Sequence, residues 1–159
     1  MILVNLLKNY LYRKRVKAAK VYMTIDDTVV FTNTFSLRQD IVSSQKRLTI
    51  GKDSIIGGQF IFESSIGNIT IGEHSFIGGS TFISRSSITI GSNVTIAWGC
   101  TIYDHDSHSL NYMERRKDIS DELDDIRNGR NFIAHKNWDV VNSKPIAICD
   151  DAWIGMNCI

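Results

Sequence analysis

A six-residue period is the feature of this sequence that most constrains its fold. From Ile50 the chain reads IGKDSI, IGGQFI, FESSIGNIT, IGEHSF, IGGSTF, ISRSSIT, IGSNVT, IAWGCT and IYDHDS, so that an aliphatic or aromatic residue opens each block. Seven of the eleven glycines directly follow an isoleucine. After a long interruption the pattern resumes as IAICDDAWIGMNCI. A short internal period of this kind is typical of architectures built from stacked repeats.

The period predicts a three-sided coil of about 18 residues with one short strand on each side. Each opening residue would point inward, and the small residue after it would let the chain turn sharply at the corner. One buried aliphatic side chain contributes only about 1.5–3 kcal/mol, so several stacked coils are needed for a stable domain. The predicted ladders are Ile50, Ile71, Ile90 and Ile148 on the first side, Ile56, Ile77, Ile96 and Ile154 on the second, and Phe62, Ile83 and Ile102 on the third.

The rest of the chain can be placed around this prism. Residues 21–49 are expected to supply one irregular coil. Residues 1–20 are expected to form a short amphipathic α-helix with a basic second half, which covers the open edge of the first coil. An antiparallel sandwich, the main alternative, would carry turn signals about every 8–12 residues rather than a corner every six. The predicted fold is therefore all-β, a parallel β-helix over residues 21–159.

A long insertion interrupts the repeats at about residues 103–147. It opens with DHDSH, which places two histidines and two aspartates within five positions. A loop of this length inside a compact domain is usually functional. Within the insertion we predict a short helix from about Ser120, as its N-cap, to Arg127, ended by Gly129.

The repeat resembles that of the hexapeptide-repeat family, and the resemblance covers Ile50 to Ile159 well. It implies a left-handed parallel β-helix, an exception to the general preference for right-handed crossovers. The aspartate–histidine pair after a coil, followed by a loop and by KPIAICDDAWIG, is similar to the sugar O-acetyltransferase branch. That branch includes maltose, galactoside and surface-polysaccharide acetyltransferases. The resemblance implies acetyl-CoA as co-substrate, a sugar or glycan acceptor, and a homotrimer with active sites between subunits.

The resemblance also implies roles for individual residues. His105 matches the catalytic base of the family, and Trp153 and the Met156 amide match positions on the cofactor side. An imidazole suits the task because its pKa of about 6.5 lies near the operating pH, so it can take the proton of a hydroxyl that attacks a thioester. The Met156 amide is a candidate donor to the resulting oxyanion. Asp104, Asp106 or a loop carbonyl could hold the second ring nitrogen, and the sequence does not choose among them.

The candidate residues on the acceptor side are Asp104, His108, Arg85 and Trp138. His108 is a helper that orients the acceptor, a solvated loop residue, or a base in place of the first histidine. Trp138 either stacks on a sugar ring or anchors the loop. Galactoside-type members carry an asparagine and an aspartate on the preceding coil, whereas the matching positions here are Ile77 and Arg85. The acceptor is therefore expected to differ, and an acidic acceptor is one candidate.

Composition and charge indicate the cellular setting of the protein and limit the classes of partner that it could bind. A net charge of +1 and a single basic segment, RKRVKAAK, give no reason to expect nucleic acid. No apolar run approaches the roughly 20 residues of a bilayer span, so no stable membrane insertion is expected. Three cysteines without a Cys-x-x-Cys pair favour a reduced, cytoplasmic setting. Cys149 stands where the repeats usually carry a corner glycine, and the sequence gives no reason for this.

Two other functions stay open from sequence alone. A zinc enzyme of the γ-carbonic-anhydrase kind needs three or four well-placed ligands, but His74 is the one histidine on the preceding coils, so no metal is expected. A non-catalytic β-helix scaffold explains the ladders but not DHDSH at the loop entrance. The sequence stops partway round a coil at Ile159, and we expect further coils that bind coenzyme A to follow.

Overall fold

Parallel strands wound around one axis form most of this protein. The computed structural model describes residues 2–159, with side-chain surroundings at Leu7 and from Tyr10 onward. Equivalent strands pair in parallel in three sheets, two of five strands and one of four. The strands are β1 (Met23–Ile25), β2 (Val30–Phe31), β3 (Ser36–Gln39), β4 (Leu48–Ile50), β5 (Ile55–Ile56), β6 (Gln59–Phe62), β7 (Asn68–Ile71), β8 (Phe76–Ile77), β9 (Thr81–Ser84), β10 (Ser87–Ile90), β11 (Thr95–Ile96), β12 (Thr101–Tyr103), β13 (Ile146–Ile148) and β14 (Trp153–Ile154).

The three sheets are the sides of a prism of four coils and two strands of a fifth. The first side is β1-β4-β7-β10-β13, the second is β2-β5-β8-β11-β14, and the third is β3-β6-β9-β12. The predicted parallel β-helix is therefore confirmed, and its architecture is consistent with the left-handed form. Residues 21–49 supply a full first coil, because each of β1, β2 and β3 pairs in register with the second coil.

Two of the three predicted ladders contain the residues that the sequence predicted. On the first side Ile50 pairs with Ile71, Ile71 with Ile90 and Ile90 with Ile148. Nearly all of these side chains are buried, and Ile148 packs against the core. The second side repeats the arrangement, and its ladder consists of Ile56, Ile77, Ile96 and Ile154.

The third ladder was predicted in the wrong register. Phe62 pairs with Ser84, and the ladder that fills the core runs through Phe60, Phe82 and Ile102. The Phe60 and Phe82 rings stack with centroids 5.0 Å apart. The reason is a corner of variable length, since hydrogen bonding fixes the strand register while the corner absorbs the difference. The core residue of the third side follows that of the second after four, five and six residues, from Ile56 to Phe60, Ile77 to Phe82 and Ile96 to Ile102.

Glycine is required after the first side because successive coils approach closely there. A Cβ on Gly72 would lie 2.6 Å from the backbone of the next coil, and one on Gly91 would lie 2.2 Å from the Asp150 carboxylate. Cys149 occupies the same position in the fifth coil and is exposed, and the described residues give no structural reason for a cysteine there.

The predicted N-terminal helix is α1, Ile2–Ala19. Met1 lies outside the described residues. Val16 packs against the core cluster and Ala19 belongs to it, so the last turn of α1 packs against the core of the β-helix. Within residues 2–159, no helix combines the length and the apolar character that a bilayer span requires.

The helix in the insertion begins earlier than predicted. It is α2, Tyr112–Arg127, whereas the sequence suggested a start near Ser120. The side chain of Asn111 accepts a hydrogen bond from the Met113 N–H and so acts as the N-cap. A 3₁₀ turn, Trp138–Val140, follows before the chain returns to the β-helix.

The buried side of α2 is acidic, which is the reverse of an ordinary amphipathic helix. The residues that it buries are Asp118 and Asp125. Hydrophobic periodicity therefore gave no signal for the true start of this helix. The large apolar residues of α2 are exposed, and they are Tyr112, Met113, Ile119, Leu123 and Ile126.

We predict that Gly72→Ala lowers the free energy of unfolding by about 1–3 kcal/mol, because the new methyl group must push apart two backbones. Urea denaturation followed by circular dichroism measures the effect. Gly155→Ala is the matched control, since a Cβ there meets no atom within 4 Å, and it should change the stability by less than about 0.5 kcal/mol. Equal stabilities of the two variants would refute close packing of the coils at this corner.

Candidate functional site at the neck of the insertion

The insertion leaves and rejoins the β-helix at one point, which we call the neck. The Asp104 carbonyl accepts hydrogen bonds from the Lys144 N–H and from the Ser143 hydroxyl, each at 3.0 Å. His105 forms an antiparallel bridge with Ser143. The DHDSH segment and the returning chain are thus held side by side.

Asp104 is a structural clamp between coils. Its buried carboxylate accepts hydrogen bonds from the Ser84 hydroxyl at 2.8 Å, the Arg85 N–H at 2.7 Å and the Ser86 N–H at 2.9 Å. These three donors belong to the corner of the preceding coil. The structure therefore places Asp104 neither on the second nitrogen of His105 nor free to bind an acceptor.

His105 lies inside the neck with its side chain fully buried. Its Nδ1 accepts a hydrogen bond from the Ser107 N–H at 3.2 Å, so the ring nitrogen is held by a donor rather than by the expected acceptor. Its Nε2 is buried without a hydrogen-bond partner among the described residues, and Glu63 Oε2 lies 3.6 Å away. The imidazole packs edge-on against the rings of Tyr103 and Trp138.

Burial dominates the electrostatics around this imidazole. It lowers the pKa of His105 to about 4, because desolvation disfavours the charged ring. For the same reason burial raises the pKa of Glu63 above its usual range. It also raises the pKa of Tyr103 to about 12. The neck therefore holds a neutral imidazole at pH 7.

The imidazole of His108, three residues after His105, is partly exposed and contacts charged side chains. Its Nδ1 lies 2.5 Å from Oδ2 of Asp118, and Lys136 Nζ lies 3.6 Å from the same oxygen. The Asp118 and Lys136 side chains are only 6% and 4% exposed, whereas the imidazole of His108 is 40% exposed. The pair is therefore a surface imidazole oriented by a buried carboxylate.

Trp138 is placed as an anchor of the insertion. Its carbonyl accepts a hydrogen bond from Arg85 Nη2 at 2.9 Å, and its ring lies 5.3 Å from both the Arg85 guanidinium and Lys136 Nζ. The buried Nε of Arg85 has no hydrogen-bond partner among the described residues. Arg85 and Trp138 also line a cavity of about 250 Å³. The other matched position, Ile77, is fully buried in the core and does not reach the site.

Trp153 and Met156 lie on another side of the prism. Trp153 is in β14 on the second side, where it pairs with Thr95, and its side chain is 80% exposed. Met156 follows at the next corner and is also exposed. His105 follows the third side instead, so one chain does not bring the predicted base and the predicted cofactor positions together.

An open cavity of about 630 Å³ lies at the neck. The outgoing chain lines it with residues 103–106, and the returning chain lines it with residues 142–146. Both walls belong to the segment singled out by the sequence, and His105 is the histidine among the residues that line the cavity, which makes it the candidate substrate cavity.

Asp125 of α2 forms a second histidine–aspartate pair with His135 of the loop that follows the helix. His135 Nδ1 is 2.5 Å from Oδ1 of Asp125, and Arg130 Nε donates to that oxygen at 2.7 Å. These hydrogen bonds hold the pKa of Asp125 far below its usual range. Within residues 2–159, no three His, Cys, Asp or Glu side chains are grouped so as to hold a metal ion.

Sequence reasoning missed Asp118, Lys136 and Glu63. Each reaches the neck from another element, and the helix that carries Asp118 was predicted to begin after it. A pattern-based signal existed only for Asp118, as an acidic residue on a helix close to a histidine. Lys136 and Glu63 follow from the three-dimensional packing of the loop and the second coil.

Comparison with known families agrees with the fold. Residues 68–104, a little under a quarter of the chain, match the family described as the hexapeptide repeat of succinyl-transferase. The matched segment begins with β7 and ends at Asp104, directly before the first histidine of the neck. No curated protein matches the chain, and no solved structure matches it.

Asp104→Asn should destabilise the protein, because an amide cannot accept the three hydrogen bonds that the carboxylate now accepts. We expect a loss of about 1–3 kcal/mol in the free energy of unfolding. Asp106→Asn is the control, since Asp106 is exposed and accepts one side-chain hydrogen bond, from Asn142. Similar losses in both variants would contradict the clamp.

The buried imidazole of His105 should make stability depend on pH. Its pKa is about 4 in the folded protein and 6.5 ordinarily, so between these values the unfolded chain binds the proton that the folded protein excludes. Stability should therefore fall as the pH is lowered from 6.5 to 4, by up to about 1.4 kcal/mol per pH unit for this group. Urea denaturation of wild type and His105→Gln at several pH values measures the difference in slope. Parallel curves would refute the buried, neutral histidine.

Proposed function

We propose that this chain, a hexapeptide-repeat β-helix protein of the acyltransferase type, transfers an acetyl group from acetyl-CoA to a hydroxyl of a sugar or glycan precursor. The observation that carries the proposal is the open cavity lined by His105 directly after the matched repeats, with a second oriented imidazole, that of His108, three residues later. A scaffold without catalysis has no use for oriented imidazoles at this point.

The chemistry of the proposal follows from the poor nucleophilicity of a sugar hydroxyl. A base takes the hydroxyl proton while the oxygen attacks the thioester carbonyl, and the C–S bond then breaks to give an ester and free coenzyme A. The base is an imidazole of the neck, and His105 is the one that the resemblance implies. A fixed N–H donor at the carbonyl oxygen, proposed to be that of Met156, stabilises the developing charge.

The arrangement of the chain favours a site shared between subunits. Trp153 and Met156 lie on the second side of the prism, away from the neck of their own chain. We therefore propose a homotrimer in which Trp153 and Met156 of one subunit face the neck of its neighbour. The exposure of Trp153, at 80%, is consistent with such a contact. We place the reaction in the cytoplasm, where acetyl-CoA is made.

Arg85 suggests the kind of acceptor. Its Nε is buried without a partner beside the cavity of about 250 Å³, and no carboxylate of the described residues forms an ion pair with it. A guanidinium without an ion pair favours an anionic group on the ligand. We therefore propose that acceptors with a carboxylate or phosphate, such as uronic acids or sugar phosphates, are preferred to neutral sugars.

The test is a thioester assay with the full-length protein. Acetyl-CoA is supplied with a panel of neutral, uronic and phosphorylated sugars, and both free thiol and acetylated sugar are measured. We expect turnover that needs an acceptor and falls by at least about 100-fold in the double variant His105→Ala/His108→Ala.

The matched control for this assay is His74→Ala, which removes an exposed imidazole on the β-helix outside the insertion. It should retain wild-type turnover. Unchanged turnover in the double variant, or no acetylated product with any hydroxyl acceptor, would refute the proposed function.

A further inference from the structure

We infer that His108, oriented by Asp118, is the base that takes the hydroxyl proton, and that His105 is a buried positioning residue. This inference rests on the proposed function, because it assigns the base of that reaction. It departs from the residue implied by the family resemblance. Its basis is the ring nitrogen that each histidine leaves free.

The ring nitrogen of His105 that could accept a proton, Nδ1, already accepts a hydrogen bond. A neutral imidazole has one nitrogen that carries a proton and one that accepts. Nδ1 accepts from the Ser107 N–H, so Nε2 carries the proton, and this Nε2–H points into the protein near Glu63. The side chain is also fully buried. His105 can take a substrate proton only if this hydrogen bond breaks and the ring leaves its packing.

His108 has the tautomer that a general base needs. The Asp118 carboxylate accepts hydrogen bonds and cannot donate one, so Nδ1 of His108 carries the proton at the 2.5 Å contact. The lone pair then lies on Nε2, which has no hydrogen bond to any group among the described residues. The imidazole is 40% exposed. A carboxylate that fixes the tautomer and orientation of a histidine is the arrangement used in general-base catalysis.

The position of Asp118 is fixed by its surroundings. Its carboxylate is buried within the insertion, with Lys136 Nζ 3.6 Å from Asp118 Oδ2 and 3.5 Å from Nδ1 of His108. The lysine is itself almost fully buried, and its ammonium lies over the Trp138 ring at 5.3 Å. Lys136 therefore balances the charge of a carboxylate that would otherwise be buried alone. These two are the charged side chains in contact with the His108 ring.

His108 lies two residues after the segment that lines the cavity at the neck. Its N–H donates to the carbonyl of Asp106 at 2.6 Å, and Asp106 lines the cavity of about 630 Å³. Between the two histidines Ser107 adopts a φ of 64°, a left-handed conformation that is uncommon for serine. This turn sends one ring into the neck and the other to the surface.

The proposed step conserves atoms and charge. Nε2 of His108 takes the proton of the acceptor hydroxyl as its oxygen bonds to the thioester carbonyl carbon. The C–S bond breaks when the tetrahedral intermediate collapses, and the departing sulfur takes the proton from Nε2. The imidazole returns to its neutral form, and Asp118 stays a carboxylate throughout.

The test compares single variants of the full-length protein with acetyl-CoA and the best acceptor of the sugar panel. His108→Ala should lower kcat by about 10²- to 10⁴-fold with little change in KM. Because the lost ring is exposed, imidazole added to the buffer should restore part of this rate. His135→Ala is the matched control, since it removes an imidazole held by an aspartate of the same helix at the same 2.5 Å, and it should keep wild-type kcat.

The variant Asp118→Asn tests whether Asp118 orients the His108 ring or only stabilises the packing of the insertion. The amide can donate to Nδ1, so it releases the fixed tautomer of His108, and kcat should fall by at least about 10-fold while KM changes little. The ¹⁵N chemical shifts of the His108 ring should report the change of tautomer. A merely structural aspartate would alter stability and leave these shifts unchanged.

Two results would overturn the assignment and leave acyl transfer itself in place. One is wild-type kcat in His108→Ala. The other is rescue by imidazole in His105→Ala but not in His108→Ala. If the wild-type protein turns over no thioester with any acceptor, the proposed function fails instead, so the two failures are distinguishable.

Discussion

Backbone hydrogen bonding between equivalent strands of successive coils is the interaction on which the rest of this structure depends. The strands of the second side are only two residues long, so no coil is stable by itself and each needs its neighbours. The isoleucine ladders fill the interior only when the strands are in register. At the corners the coils lie so close that a Cβ does not fit between them, as at Gly72. The strands therefore cannot shift their register. The end of each strand is therefore fixed in space.

That fixed end positions the neck. Because β12 is in register with β9, the next residue, Asp104, lies over the corner of the preceding coil and binds its donors. The Asp104 carbonyl also receives the returning chain through Lys144 and Ser143. The two ends of the insertion are thus in contact, and the entropy of closing a loop grows only slowly with its length. The β-helix can carry a long insertion here with little loss of stability.

Much of the fold could be predicted from the sequence, and the exceptions have physical causes. The Ile-Gly corners predicted two ladders correctly because the first and second sides keep a constant spacing. The third ladder failed because the corner before Phe60 and Phe82 shortens by one or two residues, which a fixed period cannot represent.

The sequence predicted which segment forms the candidate site, but it did not predict how the side chains of the site are arranged. DHDSH identified the neck, since histidines and aspartates at a loop entrance are visible in the sequence. The states of the two rings depend on contacts made by distant residues. Glu63 and Trp138 surround His105, while Asp118 and Lys136 surround His108. Two identical side chains three positions apart therefore differ in burial, in tautomer and in access to solvent.

Helix α2 carries the carboxylate that distinguishes His108 from His105. A helix usually packs through an apolar face, yet α2 buries Asp118 and Asp125 and exposes its isoleucines and leucine. Burying two carboxylates is unfavourable unless each is paired, and the structure pairs one with His108 and Lys136 and the other with Arg130 and His135. Apolar residues on the buried face would dock the helix more simply. The pair at Asp125 accounts for docking of the C-terminal turn, because it ties the helix to the chain that follows. The pair at Asp118 ends instead on an exposed imidazole that follows the cavity-lining segment by two residues, where a contact made only for stability would have no reason to leave a basic nitrogen free.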